Sequence, residues 1–239
     1  MGDTCRMPNP YVQKMTRRNN ANDPARLGQR YSRTAFLPEA GNTVICHLDT
    51  AHPTHHAILA ARSKMQALRG AQRFLFTPAA SLHMTVFEGA IETRRTADAW
   101  PKDISRDAGI DHATAHVLER LAGFVPPPAF SVRIAGVAPT GLILQGAQEA
   151  DEAVLRAWRD ALIAPFGYRH DTHDLYVFHM TFGYPIDWLT DDEAPVWESA
   201  LSEIHADLVR DAPVVPLKPP AFCSFADMTR FEELLVLRP

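Results

Sequence analysis

Cysteine is scarce: Cys5, Cys46 and Cys223 are the only three in 239 residues and share no metal-ligand or redox spacing. That pattern argues against a disulfide framework and a thiolate metal site, and it sets the expectation of a reduced, cytoplasmic protein. No apolar run is long enough to span a membrane, and no signal-peptide core follows Met1, so neither a membrane nor export is expected. Positive charge is also short in the body. The net charge is -4, yet residues 1–33 hold seven basic residues (Arg6, Lys14, Arg17, Arg18, Arg26, Arg30, Arg33) against Asp3 and Asp23. The acidic remainder argues against duplex DNA as a partner, and residues 1–35 are expected to form a basic, partly ordered arm at the surface.

Histidine, by contrast, is well represented, and its placement is not random. His-Met-Thr occurs twice, at His83-Met84-Thr85 and His179-Met180-Thr181, each time inside an apolar, strand-like run. The looser pattern His-x-Thr is weak by itself. It recurs at His52-Pro53-Thr54, His112-Ala113-Thr114 and His170-Asp171-Thr172, beside a proline, in a polar helical stretch and in a polar loop. Context singles out the two copies. Period-2 alternation puts His83, Thr85 and Phe87 on one face of their strand and His179 with Thr181 on one face of theirs.

The surroundings repeat as well. A buried strand at Thr43–Leu48, a helix from His55 to about Arg69, the first His-Met-Thr strand, a helix near Asp111–Leu121 and a strand at Phe130–Val137 make one series. A strand at Gly141–Gln145, a helix from Glu149 to about Ile163, the second His-Met-Thr strand, a helix at about Asp191–Leu208 and strands near Phe222 and Leu234 make another. The two motif histidines are 96 residues apart, and each follows its unit's first strand by nearly the same interval, 39 residues from Val44 and 37 from Leu142. A duplicated unit is implied. The expected fold is α+β: one bilobal domain over 36–239, with lobes at about 36–138 and 139–239. In it two antiparallel sheets flanked by helices are related by a pseudo-two-fold, with a central cleft.

One histidine and one threonine from each half would meet in that cleft. Histidine is neutral or charged near neutral pH according to its surroundings, so a pair can divide the roles of general base and general acid. Threonine hydroxyls two residues along donate to phosphate oxygens and stabilise charge in the transition state. This chemistry cleaves phosphodiesters with no metal or other cofactor. Phe87 is expected to stack on a base, Arg94, Arg95 and Arg169 are candidate phosphate partners, and Tyr184 is expected in the core.

Paired His-x-Thr motifs in a duplicated α+β chain resemble the 2H phosphoesterase superfamily, which includes 2',5' RNA ligase and cyclic phosphodiesterase proteins. The likeness runs over roughly residues 28–239, and Phe36–Leu48 is similar to a poorly characterised branch, here with an N-terminal extension. The resemblance implies catalytic His83 and His179, substrate-binding Thr85 and Thr181, and hydrolysis of 2',3'-cyclic phosphates or short RNA ends. The implied partner is a nucleotide or RNA-end substrate, and a monomer is expected. Two other readings remain open. A nucleotide- or phosphate-binding protein without turnover would use the same four residues. A histidine-ligated metallophosphoesterase would draw on His112 and His116, on His52, His55 and His56, or on His170 and His173, although none of these has an accompanying carboxylate pattern.

Overall fold

The structure is a computed structural model that describes residues 9–238. The first eight residues of the basic arm, with Cys5 and Arg6, lie outside them. The first half contributes β1 (Gly41–His47), α2 (His55–Gln66), the short β2 (Phe74–Phe76), β3 (His83–Ile91), α3 (Ile110–Leu121) and β4 (Val132–Ala138), after a one-turn helix α1 (Pro10–Gln13). The second half contributes β5 (Gly141–Gly146), α4 (Glu149–Phe166), β6 (His179–Thr181), β7 (Gly183–Pro185), α5 (Ala194–Asp211), β8 (Ala221–Asp227) and β9 (Arg230–Val236).

The class is α+β, and every pair of neighbouring strands among β1–β9 is antiparallel. The sheets of the two halves are joined into one seven-stranded sheet, in the order β4-β5-β6-β3-β1-β8-β9, while β2 and β7 form a separate two-stranded sheet. Each half lends its last strands to the other: β4 pairs with β5, and β8 pairs with β1. The seam between the halves is the β3–β6 contact, whose register pair is Met84 with Met180, both fully buried.

Helical periodicity explains which face the helices cover. Leu155, Trp158, Leu162 and Phe166 of α4 and Trp197, Leu201, Ile204 and Leu208 of α5 recur at three- and four-residue spacing and are buried. Ile58, Ala61 and Met65 of α2 and Val117 and Leu121 of α3 join the same cluster, against Val44, Cys46, Met84 and Met180 of the sheet. Gln148 and Asp151 form a capping box at the start of α4, and Gly167, with φ of 75°, ends it. No helix among the described residues is long and apolar enough to cross a membrane.

The opposite face of the sheet carries a smaller apolar cluster of Ile45, Ile91, Cys223, Phe225, Met228 and Phe231. The described part of the N-terminal arm is anchored to the body, which differs from the expected surface arm. Val12, Thr16 and Tyr31 are buried, Arg17 N–H donates to the Leu189 carbonyl, and Arg33 donates to the Ile186 carbonyl. Arg26 and Arg30 both pair with Glu39, at 2.7 and 2.5 Å. Glu39 is 1% exposed; a carboxylate that buried needs cationic partners, and the arm supplies them.

β3 departs from simple alternation. Thr85 pairs with Ile45, but Phe87 pairs with Val44, so Val86 is an extra residue and a β-bulge. Buried side chains take up the carbonyls that the bulge frees. Arg159 donates to Val86 O (2.7 Å), Thr43 to Phe87 O (3.0 Å), and Tyr168 and His170 to Glu88 O (3.2 and 2.8 Å). A second irregularity follows at Gly89 and Ala90, opposite Asn42, whose Oδ1 accepts the Ala90 N–H.

A Cβ on Gly89 would lie 2.1 Å from Asn42 Oδ1 and 2.2 Å from the Asn42 carbonyl oxygen. Backbone cannot yield as a flexible side chain does, so Gly89→Ala is expected to destabilise the fold by about 1–3 kcal/mol. Urea denaturation measures it, and an unchanged midpoint would contradict the close approach of β1 and β3.

Candidate active site

The seam fixes the site. Because β3 and β6 run antiparallel through the Met84–Met180 pair, one residue to either side sets His83 across from Thr181 and Thr85 across from His179. The methionines point into the helix-covered core, and all four flanking side chains line one cleft on the other face. Counted with its mouth, which is open to solvent, the cleft spans about 580 Å³.

Both histidines are held in the same way. His83 Nδ1 lies 2.7 Å from the carbonyl of Ser81, and His179 Nδ1 lies 2.9 Å from the carbonyl of Val177, in each case two residues upstream. A carbonyl only accepts, so each Nδ1 carries the hydrogen, and each neutral ring keeps its lone pair on Nε2. Each ring also has an aromatic neighbour: Phe231 at 4.2 Å from His83 and Tyr176 at 6.1 Å from His179, between centroids. The Thr85 hydroxyl interacts with the Tyr176 hydroxyl, whereas the Thr181 hydroxyl makes no hydrogen bond among the described residues.

The two imidazoles differ in solvation. His179 is exposed, whereas His83 is largely enclosed. Burial pushes the His83 pKa down to about 4; its hydrogen bond to the Ser81 carbonyl opposes the shift, and His47 and His179 nearby reinforce it. His47, directly opposite His83 in the sheet, is itself pushed down by burial, against the pull of Glu233 at 3.6 Å.

The other residues expected at the site lie differently. Phe87 is 0% exposed and packs against Phe166, Tyr168 and His170. The Val86 bulge reverses the alternation after Thr85, so Phe87 joins the core and cannot stack on a ligand. Arg95 lies over the Trp100 ring at 4.4 Å and donates to the Ala108 carbonyl (2.5 Å), which ties the 91–110 loop together away from the cleft. Arg94 reaches Glu88 at 4.0 Å but does not line the cleft, and exposed Arg169 pairs with Asp174. Among the described residues no three His, Cys, Asp or Glu side chains come together as a metal-binding group. His170 is bonded to the Glu88 carbonyl and His173 to Asp160.

Several lining residues were not expected. Glu88 enters the cleft because the bulge that buries Phe87 turns the next side chain outward. Arg30 comes from the arm and sits against Tyr184, which packs on the smaller apolar cluster as expected and also lines the cleft, while Tyr176, Phe225 and Met228 supply aromatic and apolar walls. Arg159, 1% exposed, lies beneath this floor with its guanidinium 3.8 Å from the Tyr176 ring centroid, a cation–π contact in a dry setting. A bulge and a packed arm leave no periodic trace in the sequence, so alternation could not have found these residues.

Comparison with known proteins agrees with the geometry. Residues 30–143 match the family model described as 2H-phosphodiest, a domain of unknown function (DUF1868). No curated protein matches. The chain is similar to the crystal structure of a conserved protein of unknown function, ATU0111, from Agrobacterium tumefaciens str. C58. The TM-score is 0.94 and the identity 40%, over 96% of this chain and 99% of that one. With paired histidines and threonines facing one another across the seam of a duplicated sheet, the chain belongs to the 2H phosphoesterase family, in the branch described as DUF1868.

Proposed function

We propose that the protein is a metal-independent phosphodiesterase that opens 2',3'-cyclic phosphates or short nucleotide phosphodiesters, with His83 and His179 as the acid-base pair. The observation that carries the reading is the matched tethering of the two rings, each with Nδ1 on a backbone carbonyl and Nε2 free toward a shared cleft. A lone core histidine does not need a symmetry mate in the same state.

The difference in solvation supports one division of roles. His83, held neutral over the physiological range, enters as the general base; exposed His179 enters as imidazolium and general acid. His83 Nε2 takes a proton from water as its oxygen bonds to phosphorus. The bond from phosphorus to the leaving ribose oxygen breaks, and His179 Nε2 delivers the proton that oxygen needs. A phosphomonoester results, and the two rings exchange their proton with solvent. The phosphate anion beside His83 favours its charged form, so the base strengthens as the substrate is bound. Thr85 and Thr181, one from each half, donate to the non-bridging oxygens and stabilise the charge that builds there.

Loss of either ring removes one proton transfer, so His83→Ala and His179→Ala are each expected to lower kcat on a 2',3'-cyclic nucleotide by about 10²–10⁴-fold. The double variant should lose far less than the product of the two, because the rings act as a unit. Thr85→Val and Thr181→Val should each cost about 1.5–3 kcal/mol of transition-state stabilisation. Steady-state kinetics on the folded variants decides, and near-normal turnover in either alanine variant would sink the mechanism.

The pH profile should be asymmetric. With His83 pushed down to about 4, kcat/KM is expected to hold from neutrality toward pH 5 and to fall only as His83 charges near 4. Stability has its own window. Unfolded, His83 takes up a proton near ~6.5; folded, it does so near 4, so acidification between those values favours the unfolded chain. Activity should survive exhaustive chelation. Loss on chelation with recovery on adding one metal would instead identify a metallophosphoesterase.

A further inference from the structure

A carboxylate is out of place beside a phosphate. Glu88 lines the same cleft as the two histidines, although its charge repels any phosphate oxygen brought near it. It is not consumed by the fold. Its carboxylate accepts no hydrogen bond among the described residues, and the nearest guanidinium nitrogen, on Arg94, stands 4.0 Å away. It is also held there at some expense: the bulge that aims it into the cleft is tied down by buried Arg159, Thr43, Tyr168 and His170. A free acceptor presented this rigidly calls for a donor on the ligand.

The position fits one end of a nucleotide. His83 pairs with His47 and Glu88 with Thr43, four residues along β1, which at the rise of a strand is about 13 Å. That is comparable with the reach from a ribose phosphate to the far edge of its base. The walls of the same cleft include Tyr176, Tyr184 and Phe225, aromatic side chains of the kind on which bases stack. Arg30 is already engaged by Glu39 and Tyr184 on the same stretch, and Glu88, with Arg94 no nearer than 4.0 Å, keeps its carboxylate open to a ligand.

We infer that Glu88 is the specificity-determining residue of this site and selects guanine, by accepting the paired N–H donors of its Watson–Crick edge. This rests on the phosphodiesterase reading above. Among the four common bases only guanine offers two adjacent donors, N1–H and the exocyclic amine, that match both oxygens of a carboxylate. Adenine and cytosine set an acceptor nitrogen beside their amine, and uracil flanks its one donor with two carbonyls, so each turns a lone pair toward Glu88. Selection therefore has a repulsive part as well as an attractive one.

The test is kcat/KM for the 2',3'-cyclic phosphates of guanosine, adenosine, cytidine and uridine, with the parent protein and with Glu88→Gln. The variant keeps the shape but exchanges one acceptor for a donor. Thermal unfolding of both proteins confirms that they are compared folded, and Glu88→Asp, which keeps the charge on a shorter stem, provides a second variant. The parent should prefer the guanosine substrate by about 5–150-fold, the worth of one good bidentate pair. The guanosine-to-uridine ratio should collapse by a similar factor in Glu88→Gln and less in Glu88→Asp. Equal turnover of all four by the parent, or an equal loss on all four in Glu88→Gln, would overturn the guanine assignment while leaving phosphodiester cleavage intact. Failure of the parent to open any of the four would overturn the functional reading itself, and this inference with it.

Discussion

The contact on which the site depends is the antiparallel pairing of β3 with β6, centred on Met84 and Met180. Its two thioether side chains fill the core on the helix side, and burial of that sort is non-directional: it supplies adhesion and leaves register to the backbone. Register does the rest. Antiparallel pairing through one central residue on each strand sets the histidine of one half opposite the threonine of the other, twice, about a local two-fold. A slip of one residue by either strand would turn its histidine into the core and its methionine into the cleft. The exchange of outer strands, β4 onto the second half and β8 onto the first, braces that register from both sides.

Symmetry in the backbone does not produce symmetry in the chemistry. The two imidazoles share tethering and tautomer but not solvation, since Phe231 and the β8–β9 hairpin enclose His83, while the segment before β6 leaves His179 open. The duplicated fold thus supplies two like groups, and the packing around one of them lowers the proton affinity of His83. The floor of the cleft is asymmetric too. Only β3 carries the bulge that sends Glu88 into the site, tied down by four buried donors, whereas at the end of β6 the one buried hydroxyl of Thr77 reaches the carbonyls of Thr181 and Phe182.

Much of this was readable from the chain because it rests on local patterns. The strands and helices follow from apolar periodicity, and the pairing of His83, Thr85, His179 and Thr181 follows from a repeated tripeptide in a repeated context. What alternation could not show is where alternation breaks. Phe87 is two residues beyond Thr85 and should share its face, yet an extra residue at Val86 reverses the pleat and sends Phe87 to the core and Glu88 to the cleft. The stabilising partners are distant in sequence, Arg159 and His170 above all, so no window around β3 contains the signal. The arm misled for a related reason. Its basic residues suggest solvated charge, and only the fold reveals that Arg26 and Arg30 serve buried Glu39. Of Arg94 and Arg95, chosen for charge in a polar loop, the first approaches Glu88 from outside the cleft lining and the second holds its own loop together.

The most direct measurement is a crystal structure of the protein with a bound orthovanadate or inorganic phosphate. The account predicts a single oxyanion at the seam, with oxygens within hydrogen-bond reach of both Nε2 atoms, His83 and His179, and of the hydroxyls of Thr85 and Thr181. An anion bound elsewhere in the cleft, on Arg30 for example, with the histidine and threonine side chains making no contact to it, would contradict the claim that the four form one catalytic centre.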